Sequence, residues 1–228
     1  MSGILFLFFA FLTVISSIKA IEYTEAFKKN ITNSFFKNIL LIITIGIPTL
    51  VTYLTAISIN NPYMAIGNIV GSNIFNFFIL ALLDLYFIKK TFFNKISHRF
   101  FYINSLIVYI YIVIINTFML KNKQSLPPTI LIIIFYIIHL FFSSKIKLKE
   151  KSIIKNKKYK YLKLKFFIYI ICAILFSIIL TLYADYLTFN YPQFTSSVIG
   201  IFLLGITTSL PKVISYYALI KNNQYNLT

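Results

Sequence analysis

Residues 67–76, Gly-Asn-Ile-Val-Gly-Ser-Asn-Ile-Phe-Asn, place amides and a hydroxyl inside a long apolar segment. No charged residue occurs between positions 39 and 83, so these polar groups are expected in or near the hydrocarbon of a bilayer. Polar side chains at that depth are costly to keep and commonly line a path for a substrate or an ion. Small residues such as Gly67, Gly71 and Ser72 also allow two helix backbones to approach closely. The segment therefore predicts a tightly packed transmembrane site.

The composition predicts an all-α fold, a polytopic α-helical membrane protein. Hydrophobic residues make up 59% of the 228 residues and charged residues only 12%, against about 25% charged in a typical soluble domain. Several apolar runs reach the roughly 20 residues that a helix needs to cross a bilayer. The single cysteine, Cys172, rules out a disulfide framework and a thiolate metal site. No catalytic, phosphate-loop or zinc-ligand spacing occurs, so we expect neither an enzyme nor a cofactor.

The net charge of +17 comes largely from one segment rather than from the whole chain. Ten lysines fall between Lys145 and Lys165, in a loop flanked by apolar runs. Such a loop is typical of a topology determinant beside anionic lipid headgroups. A nucleic-acid reader would need a basic groove with interleaved aromatic side chains, and Tyr159 and Tyr161 alone do not make one. The expected partner is therefore membrane lipid and not nucleic acid.

The apolar runs predict seven membrane spans, at residues 3–20, 36–59, 63–87, 101–120, 128–143, 166–187 and 195–220. They divide the chain into an N-terminal membrane half (1–143), a basic loop (144–165) and a partial C-terminal half (166–228). The odd-numbered loops carry most of the lysines, so the positive-inside rule places them in the cytoplasm and the N-terminus outside. We expect an integral, multi-pass protein of the plasma (inner) membrane. The run 4–18 lacks a basic segment before it, which favours a retained helix over a signal peptide.

Two of these spans carry similar proline segments. Residues 46–53 read Gly-Ile-Pro-Thr-Leu-Val-Thr-Tyr, and residues 209–216 read Ser-Leu-Pro-Lys-Val-Ile-Ser-Tyr. When Pro48 is aligned with Pro211, three aliphatic neighbours coincide and Thr52 falls on Ser215. The second and seventh spans cross the membrane in opposite directions in the predicted topology. An inverted repeat with a proline-interrupted helix in each half is typical of secondary transporters, which bind substrate near the midplane.

The pattern Gly-Asn-x-x-Gly-Ser-Asn-x-x-Asn at residues 67–76 resembles the first signature repeat of the cation/calcium exchanger superfamily, the sodium/calcium antiporters. Each repeat of that family has a helix with a motif like Gly-Thr-Ser-Leu-Pro-Glu-Leu, followed by a helix with Gly-Ser-Asn-Ile. The spans 36–87 are similar to the first repeat, and the span 195–220 to the start of the second. The resemblance implies cation transport by alternating access, with Na⁺, Ca²⁺ or another cation as substrate. The ion-binding region it implies comprises Thr49, Ser72, Asn76, Thr208, Ser209 and Lys212, with motif residues Gly67, Gly71, Pro48 and Pro211.

The sequence departs from the family where charge matters most. The family's ion-binding glutamates follow the two prolines, and Thr49 and Lys212 stand in those places here. Calcium takes six to eight oxygen ligands, and carboxylates usually offset its charge. A lysine offers three donors and no acceptor. At about 4 Å an ammonium repels a cation by roughly 4 kcal/mol per unit charge product at an effective dielectric of 20, and a divalent ion by twice that.

Three interpretations of Lys212 follow. It can be a tethered cation in the former ion position, a desolvated amine that exchanges a proton or accepts a different ion, or a drifted residue that reaches water. The corresponding functions are exchanger-like transport and, as the alternative, a non-transporting remnant or structural or regulatory membrane protein. A complementing membrane subunit is a further expected partner, since the predicted second repeat is incomplete. An anion or neutral-solute carrier that uses Lys212 as a countercharge is a third possibility.

The other polar residues are assigned structural roles. Asp84 and Asp185 are expected near span ends, with a displaced cation ligand as the alternative for Asp84, and His139 is expected to be hydrogen-bonded within the bundle. Glu22 and Glu25 have the spacing for local pairing with Lys28 and Lys29 in the first loop, on a short helix.

Overall fold

The structure, a computed structural model, describes residues 2–28, 31, 34–86 and 160–221, with isolated positions at 106, 110, 130, 134 and 137. Its continuous elements are α1 (Ser2–Lys28), α2 (Ser34–Ser58), α3 (Pro62–Tyr86), α4 (Leu162–Asn190), α5 (Ser196–Ile199), a π-helical stretch (Gly200–Leu204) and α6 (Gly205–Lys221). The predicted fourth and fifth spans, 101–120 and 128–143, lie outside the described residues except for those isolated positions. His139 and most of the basic loop lie outside them as well.

Length and hydropathy of the helices confirm a polytopic α-helical membrane protein. Five segments among the described residues are long and apolar enough to cross a bilayer: Gly3–Lys28, Ile39–Ser58, Pro62–Leu83, Leu162–Asn190 and Ser196–Ile214. Each is at least 19 residues long, close to the roughly 20 that a 30 Å hydrocarbon core requires. The described part of the chain contains no β-strand.

The first helix extends further than the sequence predicted. It continues to Lys28, eight residues past the expected end at position 20, so both glutamates lie on the helix and not in a loop. Glu25 pairs with Lys28 at 3.4 Å, as expected, but Glu22 pairs with Lys19 at 2.8 Å. Both pairs have the i,i+3 spacing that places side chains on one helix face. Local pairing lowers the cost of extending an apolar helix through a charged segment.

Helices α1 and α4 form an antiparallel pair joined by aromatic contacts along its length. Three ring pairs connect them: Phe9 with Tyr183 (5.3 Å between centroids), Tyr23 with Tyr169 (5.3 Å) and Phe27 with Phe166 (5.4 Å). All three are stacked, and such pairs add to the free energy of packing beyond the area they bury. Since the last two pairs lie near the start of α4, they account for its beginning at Leu162, before the predicted position 166.

Helices α2, α3 and α6 form the other part of the bundle, with defined directions. A short turn at residues 59–61 makes α2 and α3 antiparallel. Helix α3 runs parallel to the rod formed by α5, the π-helical stretch and α6, because positions 67 and 71 lie against positions 197 and 201. Helices α2 and α6 therefore run in opposite directions, which is the relation that an inverted repeat requires.

Neither proline breaks its helix. Pro48 lies within the continuous helix α2, and Pro211 lies within α6. The interruption in the last rod is the π-helical stretch Gly200–Leu204, upstream of the proline. A π turn widens the backbone by one residue and is frequent at functional sites. The helix interruption predicted at the two prolines is therefore absent, and the last rod instead has an irregularity just before α6, about two turns before Pro211.

Four glycines allow α3 and the last rod to touch through their backbones: Gly67 and Gly71 on α3, Gly200 and Gly205 on the rod. A Cβ atom added to Gly67 would lie 2.5 Å from the carbonyl oxygen of Ser197. One added to Gly205 would lie 2.8 Å from the carbonyl carbon of Gly71. Side chains essentially never approach a backbone this closely, so any larger residue would force the helices apart. We call these four residues the glycine seam.

The close helix contact at the glycine seam can be tested by comparing an alanine substitution in the seam with one outside it. Gly71→Ala should lower the thermal midpoint of the detergent-purified protein, because overpacking typically costs about 1–3 kcal/mol. Gly46→Ala is the control, since a Cβ there would meet nothing within 4 Å. In a helix interior that change should be neutral or stabilising by up to about 1 kcal/mol. Equal midpoints for the two variants would contradict the close contact.

Candidate functional site

Asn68 links three helices at the centre of the bundle. Its Nδ2 donates to Thr52 Oγ1 on α2 at 2.6 Å and lies 3.5 Å from the carbonyl oxygen of Thr49. Its Oδ1 lies 3.3 Å from the hydroxyl of Thr208 on α6, as an acceptor alternative to the carbonyl of Leu204 at 2.9 Å. Asn68, Thr52 and Thr208 are completely buried. Buried polar groups are stable only when they are hydrogen-bonded, so this network fixes the relative positions of α2, α3 and α6.

Ser72 continues the polar contacts one turn further along α3. Its hydroxyl lies 3.0 Å from Thr208 Oγ1 and donates to the carbonyl oxygen of Gly205 at 3.3 Å. Ser209 on α6 donates to the carbonyl oxygen of Ser72 at 3.4 Å. All these groups are buried. Such contacts are possible because the glycine seam brings the two backbones together at this level.

Lys212 and Asn76 form the next level. Lys212 Nζ donates to Thr49 Oγ1 at 3.3 Å, from α6 across to α2. Asn76 follows Ser72 by four residues, and Lys212 follows Thr208 by four. Because α3 and α6 are parallel, both residues lie one turn further in the same direction. Asn76 Oδ1 is buried and has no hydrogen-bond partner in the described part of the protein.

We call these eight residues the polar cluster: Thr49, Thr52, Asn68, Ser72, Asn76, Thr208, Ser209 and Lys212. The model of one protein family, described as sodium/calcium exchanger protein, matches residues 1–145. The chain belongs to this family of transporters. No curated protein and no solved structure matches the chain. The matched residues include α1, α2 and α3 but not α6. The assignment of α6 to the candidate site therefore depends on its contacts with α3.

The exchanger resemblance selected most of the residues that the fold brings together. Direct contacts join Thr49 to Lys212 and Ser72 to Thr208 and Ser209. Asn76 lies at the level of Lys212 by helix register. The motif residues Gly67 and Gly71 belong to the glycine seam, and Pro48 and Pro211 are fully buried within their helices. Whether these residues bind an ion stays a prediction.

Two central residues of the polar cluster were not among the predicted site residues. Asn68 belongs to the motif, and the four-residue spacing of positions 68, 72 and 76 places them on one helix face. That periodicity could have identified Asn68 as a site residue. The evidence for Thr52 was weaker and consisted of its alignment with Ser215. Asn73, a prominent member of the same motif, is exposed on the other face of α3.

The charge of the polar cluster differs from that of a calcium site. Its oxygens belong to hydroxyl, amide and backbone carbonyl groups, and its one formal charge is the ammonium of Lys212. No group of three or more acidic, histidine or cysteine side chains that could hold a metal occurs among the described residues. An ammonium at about 4 Å opposes a divalent cation by roughly 8 kcal/mol at an effective dielectric of 20. The arrangement therefore disfavours calcium.

Asp185 lies at the far end of the bundle from Lys212. Asn61 Nδ2, in the turn between α2 and α3, donates to its carboxylate at 2.7 Å and lies 3.3 Å from Ser196 Oγ. The same groups line an open cleft of about 460 Å³. Asn61 precedes Ser72 by eleven residues, which corresponds to about 16 Å along a helix. Asp185 thus ties helix ends together and takes no part in the polar cluster; the side chain of Asp84 lies outside the described part.

The network around Asn68 predicts a measurable loss of stability. Asn68→Ala should lower the thermal midpoint, because it removes the hydrogen bonds that join α3 to Thr52 on α2 and to Thr208 on α6, each worth about 0.5–1.5 kcal/mol. Asn73→Ala changes the same residue type on the exposed face of α3 and should leave the midpoint unchanged or raise it. The check is thermal unfolding of both variants in detergent. A larger loss for Asn73→Ala would contradict the central role of Asn68.

Proposed function

We propose that the protein translocates cations across the membrane by alternating access, in the manner of sodium/calcium exchangers, around α2, α3 and α6. The observation that carries the proposal is the polar cluster itself. Its hydroxyl, amide and carbonyl oxygens are shared by three transmembrane helices and most of them are buried, in a chain that belongs to the exchanger family. Polar groups at that depth are costly to maintain without a function in transport or a partner.

The substrate class follows from the ligands. Thr49, Ser72, Asn76, Thr208 and Ser209 supply neutral oxygens and no negative charge. Neutral oxygens are better suited to a monovalent cation such as Na⁺ than to Ca²⁺, whose charge carboxylates usually offset. Of the family's expected cations, calcium is therefore the least suited to this chain as it stands.

Topology and location remain part of the proposal. The lysine-rich odd loops support an N-terminus outside the cell and a cytoplasmic basic loop at residues 144–165. A multi-pass position in the plasma (inner) membrane is consistent with an exchanger and with contact between the basic loop and anionic lipid headgroups.

One observation favours a second candidate, a non-transporting membrane protein with a structural or regulatory role. The ammonium of Lys212 reaches across the cluster to Thr49 at 3.3 Å. A positive charge held there opposes the entry of a second cation. In this interpretation the fold is kept and translocation is lost, or it depends on a complementing membrane subunit that supplies the missing charge.

Ion flux into proteoliposomes distinguishes the two candidates. Radiolabelled sodium and calcium uptake would be measured with an imposed sodium gradient for the wild type and for Thr49→Glu/Lys212→Glu. We expect sodium flux but little calcium uptake by the wild type. The double variant should raise sodium-dependent calcium uptake more than about tenfold, because its two carboxylates offset the charge of the ion where the ammonium repelled it, and each 1.4 kcal/mol changes affinity tenfold.

Thr49→Gln/Lys212→Gln is the matched control. It removes the ammonium and has side chains of the same size as the two glutamates, but it adds no carboxylate. It should not gain calcium uptake. Sodium-dependent calcium uptake by the wild type would contradict the exclusion of calcium and direct attention to Asp84. No flux of either ion by any folded variant would contradict transport and favour the second candidate.

A further inference from the structure

The polar cluster contains more hydrogen-bond acceptors than donors. The hydroxyl of Thr52 donates to the carbonyl of Pro48 at 2.9 Å, and that of Thr208 to the carbonyl of Leu204 at 2.9 Å. Ser209 likewise donates to a backbone carbonyl, that of Ser72. With the hydroxyl protons directed at carbonyls, the lone pairs of the hydroxyl oxygens are what these side chains can offer to a further group.

Two further features increase the excess of acceptors. Proline has no backbone N–H, so Pro48 and Pro211 donate nothing to the carbonyls of Thr44 and Thr207 one turn earlier. In addition, the buried Oδ1 of Asn76 has no partner among the described residues. A buried acceptor without a donor is destabilising, so the surroundings of these groups favour a cation or another strong donor.

Lys212 is the donor at this level. An ammonium carries three N–H groups and no acceptor. One of them is directed at Thr49 Oγ1, 3.3 Å away on the facing helix. Helix register places Asn76 at the same level from the third helix. No carboxylate among the described side chains forms an ion pair with Lys212. Its partner there is a neutral oxygen, the hydroxyl of Thr49, which a free cation could also use.

The same geometry argues against the other roles for this lysine. An anion would need donors around it, whereas the hydroxyls of Thr52, Thr208 and Ser209 donate to backbone carbonyls. A lysine that only reaches for water at the membrane surface would extend away from the bundle, but Nζ extends to Thr49 on the neighbouring helix.

We infer that Lys212 is a tethered cation: its ammonium, bonded to Thr49 between α6 and α2, takes the place of a monovalent ion in the polar cluster. The inference rests on the proposed function only in placing the ion site within the polar cluster. The wild-type site is then already filled by the chain itself. A free cation binds only while the ammonium is outside the cluster, which transport by the wild type requires transiently in each cycle and which substitution of Lys212 makes permanent.

Sodium-dependent stability tests this directly on the full-length protein in detergent. Thermal midpoints would be compared in sodium chloride and in N-methylglucamine chloride of equal ionic strength. Lys212→Met removes the charge and keeps the length of the side chain. Its midpoint should rise by about 3 °C or more at a sodium concentration ten times the dissociation constant, because a ligand that binds only the folded state stabilises it.

The controls should show no sodium dependence. The wild type and Lys212→Arg keep a cation in the cluster. Lys163→Met removes a lysine from the exposed start of α4, far from the cluster in sequence and on a helix outside it. A sodium-dependent rise in the wild type overturns the proposal without any variant, and a folded Lys212→Met protein that gains no sodium dependence overturns it too.

Restoring the ammonium chemically gives a second, independent test. In a Cys172→Ser background, Lys212→Cys should also acquire sodium dependence. Alkylation with 2-bromoethylamine forms a sulfur–carbon bond, releases bromide and the thiol proton, and yields a side chain nearly identical to lysine. Sodium dependence should then disappear, while Cys172→Ser alone is insensitive before and after treatment. Persistence of sodium dependence after complete alkylation overturns the proposal.

The stability measurements and the flux measurements test the tethered cation and the transport function separately. Sodium binding gained by the neutral variants without flux by any variant supports the tethered cation and contradicts transport. Sodium-dependent stability of the wild type together with sodium flux supports transport and contradicts the tethered cation.

Discussion

The contact between the backbones of α3 and the last helical rod is the constraint on which the rest of the site depends. Because Gly67, Gly71, Gly200 and Gly205 carry no side chain, the two helices approach until a Cβ would collide with a carbonyl. At that distance, short side chains such as Ser72 can bond groups on the other helix. Larger residues at the seam would separate the helices and leave buried hydroxyls and amides unpaired, at a cost in stability.

The polar cluster combines an exchanger scaffold with an altered charge. Its close helix contact and its amide and hydroxyl groups lie in a chain that belongs to the exchanger family. At the positions after the two prolines, Thr49 and Lys212 bond each other, where the exchanger resemblance implies glutamates. A cluster rich in acceptors needs positive charge, and here the chain itself supplies it. The proposal of a tethered cation and the poor fit to calcium follow from the same electrostatic argument.

Hydropathy predicted the helical membrane fold, and the resemblance to the exchanger family selected most members of the cluster. They did not predict the ends of α1 and α4, because the ion pair Lys19–Glu22 and the ring stack of Phe27 on Phe166 depend on neighbours within and between helices. The π-helical stretch was also missed, since nothing in the local sequence specifies an extra residue per turn. Asn68 was missed as a site residue, although its four-residue spacing from Ser72 indicated a shared helix face.

The sequence by itself determined that the chain folds in a lipid bilayer and that its fold is helical. A chain with 59% hydrophobic residues and 12% charged residues must place its apolar runs in a bilayer, and backbone hydrogen bonding there requires helices or a closed barrel. Only the tertiary structure decided that Asn68 faces the bundle while Asn73 is exposed, and that Lys212 meets Thr49. These outcomes depend on helix rotation and on contacts between residues more than a hundred positions apart, which local patterns do not specify.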